Sequence, residues 1–142
     1  MNYFNNFIVI DDDGINNKLC RLNIEKIYPQ ASIETFTDPR VGFDHIVTKY
    51  GPDQDNGNAI LLLDISMPDI NAWDFLEMFD KLNDTVKRRV KIYILSSSVD
   101  KSDMQRAHDN KYVEYYLIKP LTKESIHLMV HVLHRRLGLL EK

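Results

Sequence analysis

The chain of 142 residues has a single cysteine, Cys20, so no disulfide can close within it and a cysteine-stapled scaffold is excluded. It has no run of roughly 18 apolar residues, which excludes a membrane-spanning helix of ordinary length. It has no excess of basic residues: 18 Lys and Arg against 21 Asp and Glu leave a formal charge of -3. No positive field exists to grip a phosphate backbone, and nucleic acid is not an expected partner. The opening Met1-Asn2-Tyr3-Phe4-Asn5-Asn6 lacks the basic and apolar regions of a secretory leader. With the lone thiol, that gives an expected cytoplasmic location and no membrane partner. Internal repeats and low-complexity tracts are also missing.

What is present suits one domain. The length lies within the common range for a single core, and 44% hydrophobic composition can fill it. The expectation is one unit over 1–142, its core spanning about 7–137, with no output domain. Its centre is Ala59-Ile60-Leu61-Leu62-Leu63, an apolar run followed by Asp64-Ile65-Ser66-Met67-Pro68. An unbroken apolar run of this length fits a strand buried on both faces, as in a parallel sheet covered by helices. Asp64 then stands at its carboxyl end, the edge where ligands gather in open α/β sheets.

The remaining runs alternate in type. Phe7-Ile8-Val9-Ile10 predicts a first strand that ends in Asp11-Asp12-Asp13. From 15 to 28 two apolar stripes, Ile15/Leu19/Leu22 and Cys20/Ile24/Ile27, predict a helix stopped by Pro29. Ser32-Ile33-Glu34-Thr35-Phe36 alternates as an exposed strand does, and Asp38-Pro39 opens a helix carrying Phe43, Ile46, Val47 and Tyr50. After a polar loop over 51–58, the central strand leads to a helix with Ala72, Phe75, Leu76 and Phe79 on one face. Lys87-Arg88-Arg89 reads as a basic turn. A strand over 90–95 ends in Ser96-Ser97-Ser98, a helix covers 102–110, a strand over 113–118 ends in Lys119-Pro120, and a last helix covers 123–137. Five strands alternating with five helices predict an α/β, doubly wound parallel sheet. His127, His131 and His134 could line a metal stripe on the last helix, but they are better read as flanking its core face.

Carboxylates after the first and third strands, a hydroxyl after the fourth and an ammonium after the fifth would share one edge. Clustered carboxylates resist ionisation without a compensating cation, and hard oxygen ligands suit Mg2+. A phosphoryl group moving onto a carboxylate needs its oxygens neutralised, and a cation, a hydroxyl and a lysine supply that. Each piece also has a bland reading: Asp11 to Asp13 as a helix cap, Asp64 to Pro68 as an ordinary turn, Ser96 to Ser98 as a capped turn, Lys119-Pro120 as a solvated one.

In this order and spacing, Asp11-Asp12, Leu63-Asp64-Ile65-Ser66-Met67-Pro68, Ser96 and Lys119-Pro120 resemble the receiver domain of two-component response regulators. The resemblance implies a flavodoxin-like (βα)5 fold with strand order 2-1-3-4-5. It implies Asp64 as phosphoacceptor, and Mg2+ held by Asp12, by Asp11 largely through water, by Asp64 and by the Ser66 backbone carbonyl. Ser96 matches the switch hydroxyl, Lys119 the phosphate-pairing lysine and Tyr116 the switch aromatic. Asp13 has no counterpart beyond a cap. Ser66 and Ser98 are expected to flank the attacking water and, being short and uncharged, to leave self-hydrolysis slow.

The implied activity is a phosphoacceptor switch, not an enzyme with turnover, charged by a histidine kinase or histidine phosphotransfer protein. Output would pass to a separate partner, or the phosphoryl group onward in a relay. A homodimer or target would dock on the face of the fourth helix, fifth strand and fifth helix, where Leu128, Val132 and Leu139 form a stripe. The alternatives are a Mg2+-dependent phosphohydrolase with Asp64 as nucleophile and a degenerate receiver that only binds. The family usually has glycine where this chain has Ala72, which leaves the loop near Asp64 an open point.

Overall fold

The computed structural model describes residues 5–52 and 56–136, with side chains through 131. The described strands form one parallel sheet in the order β2-β1-β3-β4-β5, where β1 is Asn6–Ile10, β2 Ser32–Phe36, β3 Ala59–Leu63, β4 Val90–Ser96 and β5 Val113–Ile118. The helices are α1 (Gly14–Ile27), α2 (Pro39–Tyr50), α3 (Ala72–Asp80), α4 (Asp84–Arg89), α5 (Lys101–Asp109) and α6 (Lys123–Arg136). This is the doubly wound, flavodoxin-like arrangement that the alternation and the resemblance imply.

The side-chain alternation of β3 explains why its run is apolar throughout. Ala59, Leu61 and Leu63 face a core shared with Ile46 and Tyr50 of α2, Phe75 and Phe79 of α3, and Val86 of α4. Ile60 and Leu62 face the opposite core, with Cys20 and Ile24 of α1 and Ile126, Met129 and Val130 of α6. A central parallel strand has no wet face, so both registers of its period-two pattern must be apolar.

Two local readings change. The basic turn at Lys87-Arg88-Arg89 is the end of a six-residue helix, α4. Asn83 caps it by accepting from the Val86 amide at 3.0 Å, and the three cations sit in its last turn, where they oppose the negative end of the helix dipole. On α1 only the Cys20/Ile24 stripe is in the core; Ile15, Leu19 and Leu22 are exposed, Ile15 at 73%. Leu137 and Leu139 lie outside the described residues, and Val132 lies beyond the described side chains.

Gly42 marks a close approach of α2 to the sheet: a Cβ there would stand 2.6 Å from Ile10 Cδ1. The absence of a side chain lets α2 lie against the end of β1, next to Asp11.

Leu61 is fully buried at the centre of one core, so Leu61→Ala is expected to cost about 2–5 kcal/mol in urea unfolding. A loss below about 1 kcal/mol would mean that β3 is not the packed centre.

Candidate functional site

The geometry of the site begins with strand register. Ile10 pairs with Leu63, so the next residues, Asp11 and Asp64, leave neighbouring strands at the same level. Both are fixed by backbone bonds that extend the ladder: the Asp64 amide donates to the Ile10 carbonyl and the Asp11 amide to the Phe36 carbonyl, each at 3.0 Å. Ser96 ends β4 opposite Ile118, and the Lys119 amide donates to the Ser96 carbonyl at 2.9 Å. One edge of the sheet therefore gathers the side chains that follow four of its strands.

Asp11, Asp12 and Asp64 bring carboxylate oxygens within 4.8 Å of one another. Asp11 and Asp64 are buried, at 1% and 7% exposure, while Asp12 is exposed. Lys119 bridges the buried pair, its Nζ 2.7 Å from Asp11 Oδ2 and 3.5 Å from Asp64 Oδ1. Burial, then the Asp11 charge, push the Asp64 carboxyl up to about 6, against the opposing pull of Lys119. Burial acts to lower the Lys119 pKa, but its hydrogen bond to Asp11 and the charges of Asp11 and Asp64 outweigh this and raise it.

This cluster suits a hard divalent cation. All donors are carboxylate oxygens, and three carboxylates share the site with one ammonium, Lys119. Next to it opens a cleft lined by Asp12, Ile65, Ser66, Met67, Pro68 and Asn71, so Ser66 borders the same space as the acids. Mg2+ would fit this oxygen set.

The loop after Asp64 resolves the question posed by Ala72. The left-handed conformation falls on Asp69, with φ 66°, and Ala72 is simply the first residue of α3. Its amide donates to the Ile65 carbonyl at 3.0 Å. Asn71 caps the helix, accepting from Asp74 N at 2.9 Å while Asp74 accepts from Asn71 N at 3.2 Å. Glycine is not needed at 72 because no unusual φ is required there.

The other expected residues fall as follows. Ser96 is buried and its Oγ accepts from the Ser98 amide at 3.1 Å. Ser98 does not offer a free hydroxyl: it donates to Asp103 Oδ2 at 2.8 Å and accepts from Asp100 N at 3.2 Å, serving the first turn of α5. Tyr116 is half-buried and its hydroxyl donates to the Ser98 carbonyl at 2.8 Å, which ties β5 to the loop after Ser96. The Lys119-Pro120 bond is cis. Asp13 caps α1 through the Ile15 and Asn16 amides. His127 packs edge-on against Tyr28, and the Asp11, Asp12 and Asp64 group is the one candidate metal cluster among the described residues.

Two polar residues were missed by reading apolar periodicity. Asn16 and Asn17 are buried in the first turn of α1. Asn16 Nδ2 donates to Asp11 Oδ2 at 2.8 Å, and Asn17 Nδ2 donates to the Asp11 carbonyl at 3.0 Å. Their signal in the sequence was a pair of amides three to six residues after the first carboxylates, close to the position of the buried stripe.

The family model for the response regulator receiver domain matches residues 7–131. A response regulator receiver protein from Dyadobacter fermentans is 28% identical, covers 92% of this chain and 95% of its own, and superposes with a TM-score of 0.77. A two-component response regulator from Cytophaga hutchinsonii is 27% identical, with coverage of 92% and 96% and a TM-score of 0.82. Among curated protein sequences no match is found.

Because the folded-state pKa of Asp64 is raised, its contribution to stability is full below its ordinary value of 3.8 and is lost as pH rises through about 6. Asp64→Asn is therefore expected to stabilise the metal-free protein at pH 7 by on the order of 2 kcal/mol, with the gain vanishing near pH 4. Urea melts in chelator at both pH values measure this; a destabilised variant at pH 7 would contradict the charge assignment.

Proposed function

The chain belongs to the response regulator receiver domain family, and from that membership we propose that Asp64 accepts a phosphoryl group from the phosphohistidine of a histidine kinase or phosphotransfer protein. The observation that carries this reading is the buried Asp64 carboxylate held beside Asp11, Asp12 and Lys119 at the open edge of the sheet. In the transfer, an Asp64 oxygen forms a bond to phosphorus as the bond from phosphorus to the imidazole nitrogen breaks. The imidazole leaves with the electron pair and takes a proton from solvent. With acetyl phosphate the leaving group is acetate.

The residues divide the work. Asp64 is the nucleophile. Lys119 already reaches Asp64 at 3.5 Å and would pair with a phosphoryl oxygen built on it. Asp11, Asp12, Asp64 and the Ser66 carbonyl would hold Mg2+, which when bound neutralises charge that develops on the phosphoryl oxygens. Ser96 would turn its hydroxyl from the Ser98 amide to the phosphoryl group. Because Tyr116 binds the carbonyl of that same Ser98, movement of the loop would be felt by the tyrosine and by α5. Ser66 carries a short uncharged side chain with little capacity to orient water, which supports slow self-hydrolysis and a switch instead of a turnover enzyme.

Exposed Ile15, Leu19 and Leu22 on α1 lie on the helix whose first turn touches Asp11, an apolar surface beside the mouth where a phosphoryl donor must approach. For output, β5 exposes Tyr115 and α6 exposes Leu128. A groove between α5 and β5 is lined by Met104, Ala107, His108, Val113, Tyr115 and Tyr116, so the switch tyrosine forms part of the surface that a second copy or a target protein would meet.

Incubation with acetyl phosphate and Mg2+ is expected to add one phosphoryl group by intact mass, lost in Asp64→Asn and in chelator; labelling that persists in either case would refute the acceptor or the metal assignment. For output, beryllofluoride with Mg2+ is expected to strengthen self-association or target binding and to shift NMR signals of Ser96, Tyr116 and Leu128. Leu128→Glu should weaken that association and leave phosphorylation intact; unchanged assembly and unshifted signals would direct attention to another face.

A further inference from the structure

We propose that Asn16 is a positioning residue for the acidic site: its amide holds the Asp11 carboxylate in place so that Lys119 can leave Asp11 for a phosphoryl oxygen. This rests on the reading of Asp64 as a phosphoacceptor with Mg2+.

Asp11 is nearly inaccessible, at 1% exposure, so each of its carboxylate oxygens needs a partner within the protein. Oδ1 accepts from the Asp13 amide at 2.9 Å. Oδ2 accepts from two donors, Lys119 Nζ at 2.7 Å and Asn16 Nδ2 at 2.8 Å. The first of these is the group that phosphoryl pairing requires elsewhere. Were Lys119 the only donor to Oδ2, turning it toward the phosphoryl group would leave a buried anionic oxygen bare, a cost that opposes transfer. Asn16 removes that cost because it stays.

The amide is itself immobilised. Asn16 is buried on the side of α1 that also carries Cys20, and its Nδ2 lies 3.7 Å from Cys20 Sγ. Asp13 caps the same turn, accepting from the Asn16 backbone amide at 3.4 Å. Asn17 adds a backbone restraint by donating to the carbonyls of Asp11 and Phe36. The first turn of α1 is thus a bracket that fixes both the main chain and the carboxylate of Asp11. Hydrogen bonds of this kind orient a ligand and set its affinity for a metal without touching the ion.

The neutral amide is the chemically apt choice. A second cation at 16 would compete with a divalent ion, and a carboxylate would repel Asp11. An apolar side chain would leave Oδ2 dependent on Lys119 alone.

The test compares Mg2+ binding by calorimetry in the full chain with Asn16→Leu, which keeps the branched outline at a somewhat larger volume and removes the donor, and with Asn16→Ser, which leaves a smaller polar group. Wild-type protein is expected to bind Mg2+ and to gain one phosphoryl group from acetyl phosphate; if it does neither, the reading of the site has failed and not this inference alone. Given wild-type binding, Asn16→Leu is expected to raise the Mg2+ dissociation constant about 10- to 100-fold. In an Asp11→Ala background the same substitution should change it by less than about 2-fold, because the residue acts through Asp11. An unchanged constant in folded Asn16→Leu, or an equal loss with Asp11 removed, would overturn the proposal. Should the leucine variant not fold, Asn16→Ser is held to the same two comparisons.

Discussion

The interaction on which the structure depends is the meeting of Asp11, Asp12 and Asp64 around one ammonium, Lys119. Two of the three carboxylates are buried, and their mutual repulsion is offset by a single cation that bonds Asp11 more closely than Asp64. Such a site is under-neutralised as it stands. Burial, and after it the Asp11 charge, hold the Asp64 carboxyl up, and a divalent cation would relieve the repulsion. Packing alone would favour an apolar cluster at this edge, so the buried acids cost stability locally.

Everything else in the fold serves to hold those groups at that spacing. A parallel sheet places every carboxyl strand end on one edge, and the shared register of Ile10 and Leu63 puts two acids side by side. The two apolar cores that flank β3 make the platform stiff. The cap at Asn71 and the turn at Asp69 carry the chain from Asp64 into α3 without strain at Ala72. The same edge extends through Ser96, Ser98 and Tyr116 to α5 and β5, so the acidic site and the groove between α5 and β5 share a loop of a few residues.

Much of this could be read from the sequence because the strands are short and unambiguous: Ala59 to Leu63 has no polar residue, and each run ends in a residue with distinct chemistry. The second and fifth strands, over 32–36 and 113–118, were legible from alternation and from the Lys119-Pro120 stop. Other parts were not. The helix α4 has one buried apolar residue, Val86, too little for periodicity to detect, and its true signal was the cap at Asn83. Ile15, Leu19 and Leu22 keep helical spacing yet face outward, since spacing reports a face without saying what covers it. The resemblance puts Ser98 beside the path of an attacking water, and the bonds of its hydroxyl to Asp103 and from the Asp100 amide become visible only in the structure. Asn16 and Asn17 escaped because a search for apolar stripes passes over buried amides, whose role becomes visible only when Asp11 is seen to need them.

The most direct test of the charge account is a carbon NMR titration of the Asp64 carboxyl with and without Mg2+. The account predicts a midpoint raised to about 6 in the metal-free protein and a marked fall when Mg2+ is added. A midpoint near the ordinary 3.8 without metal, or one that Mg2+ does not move, would contradict it.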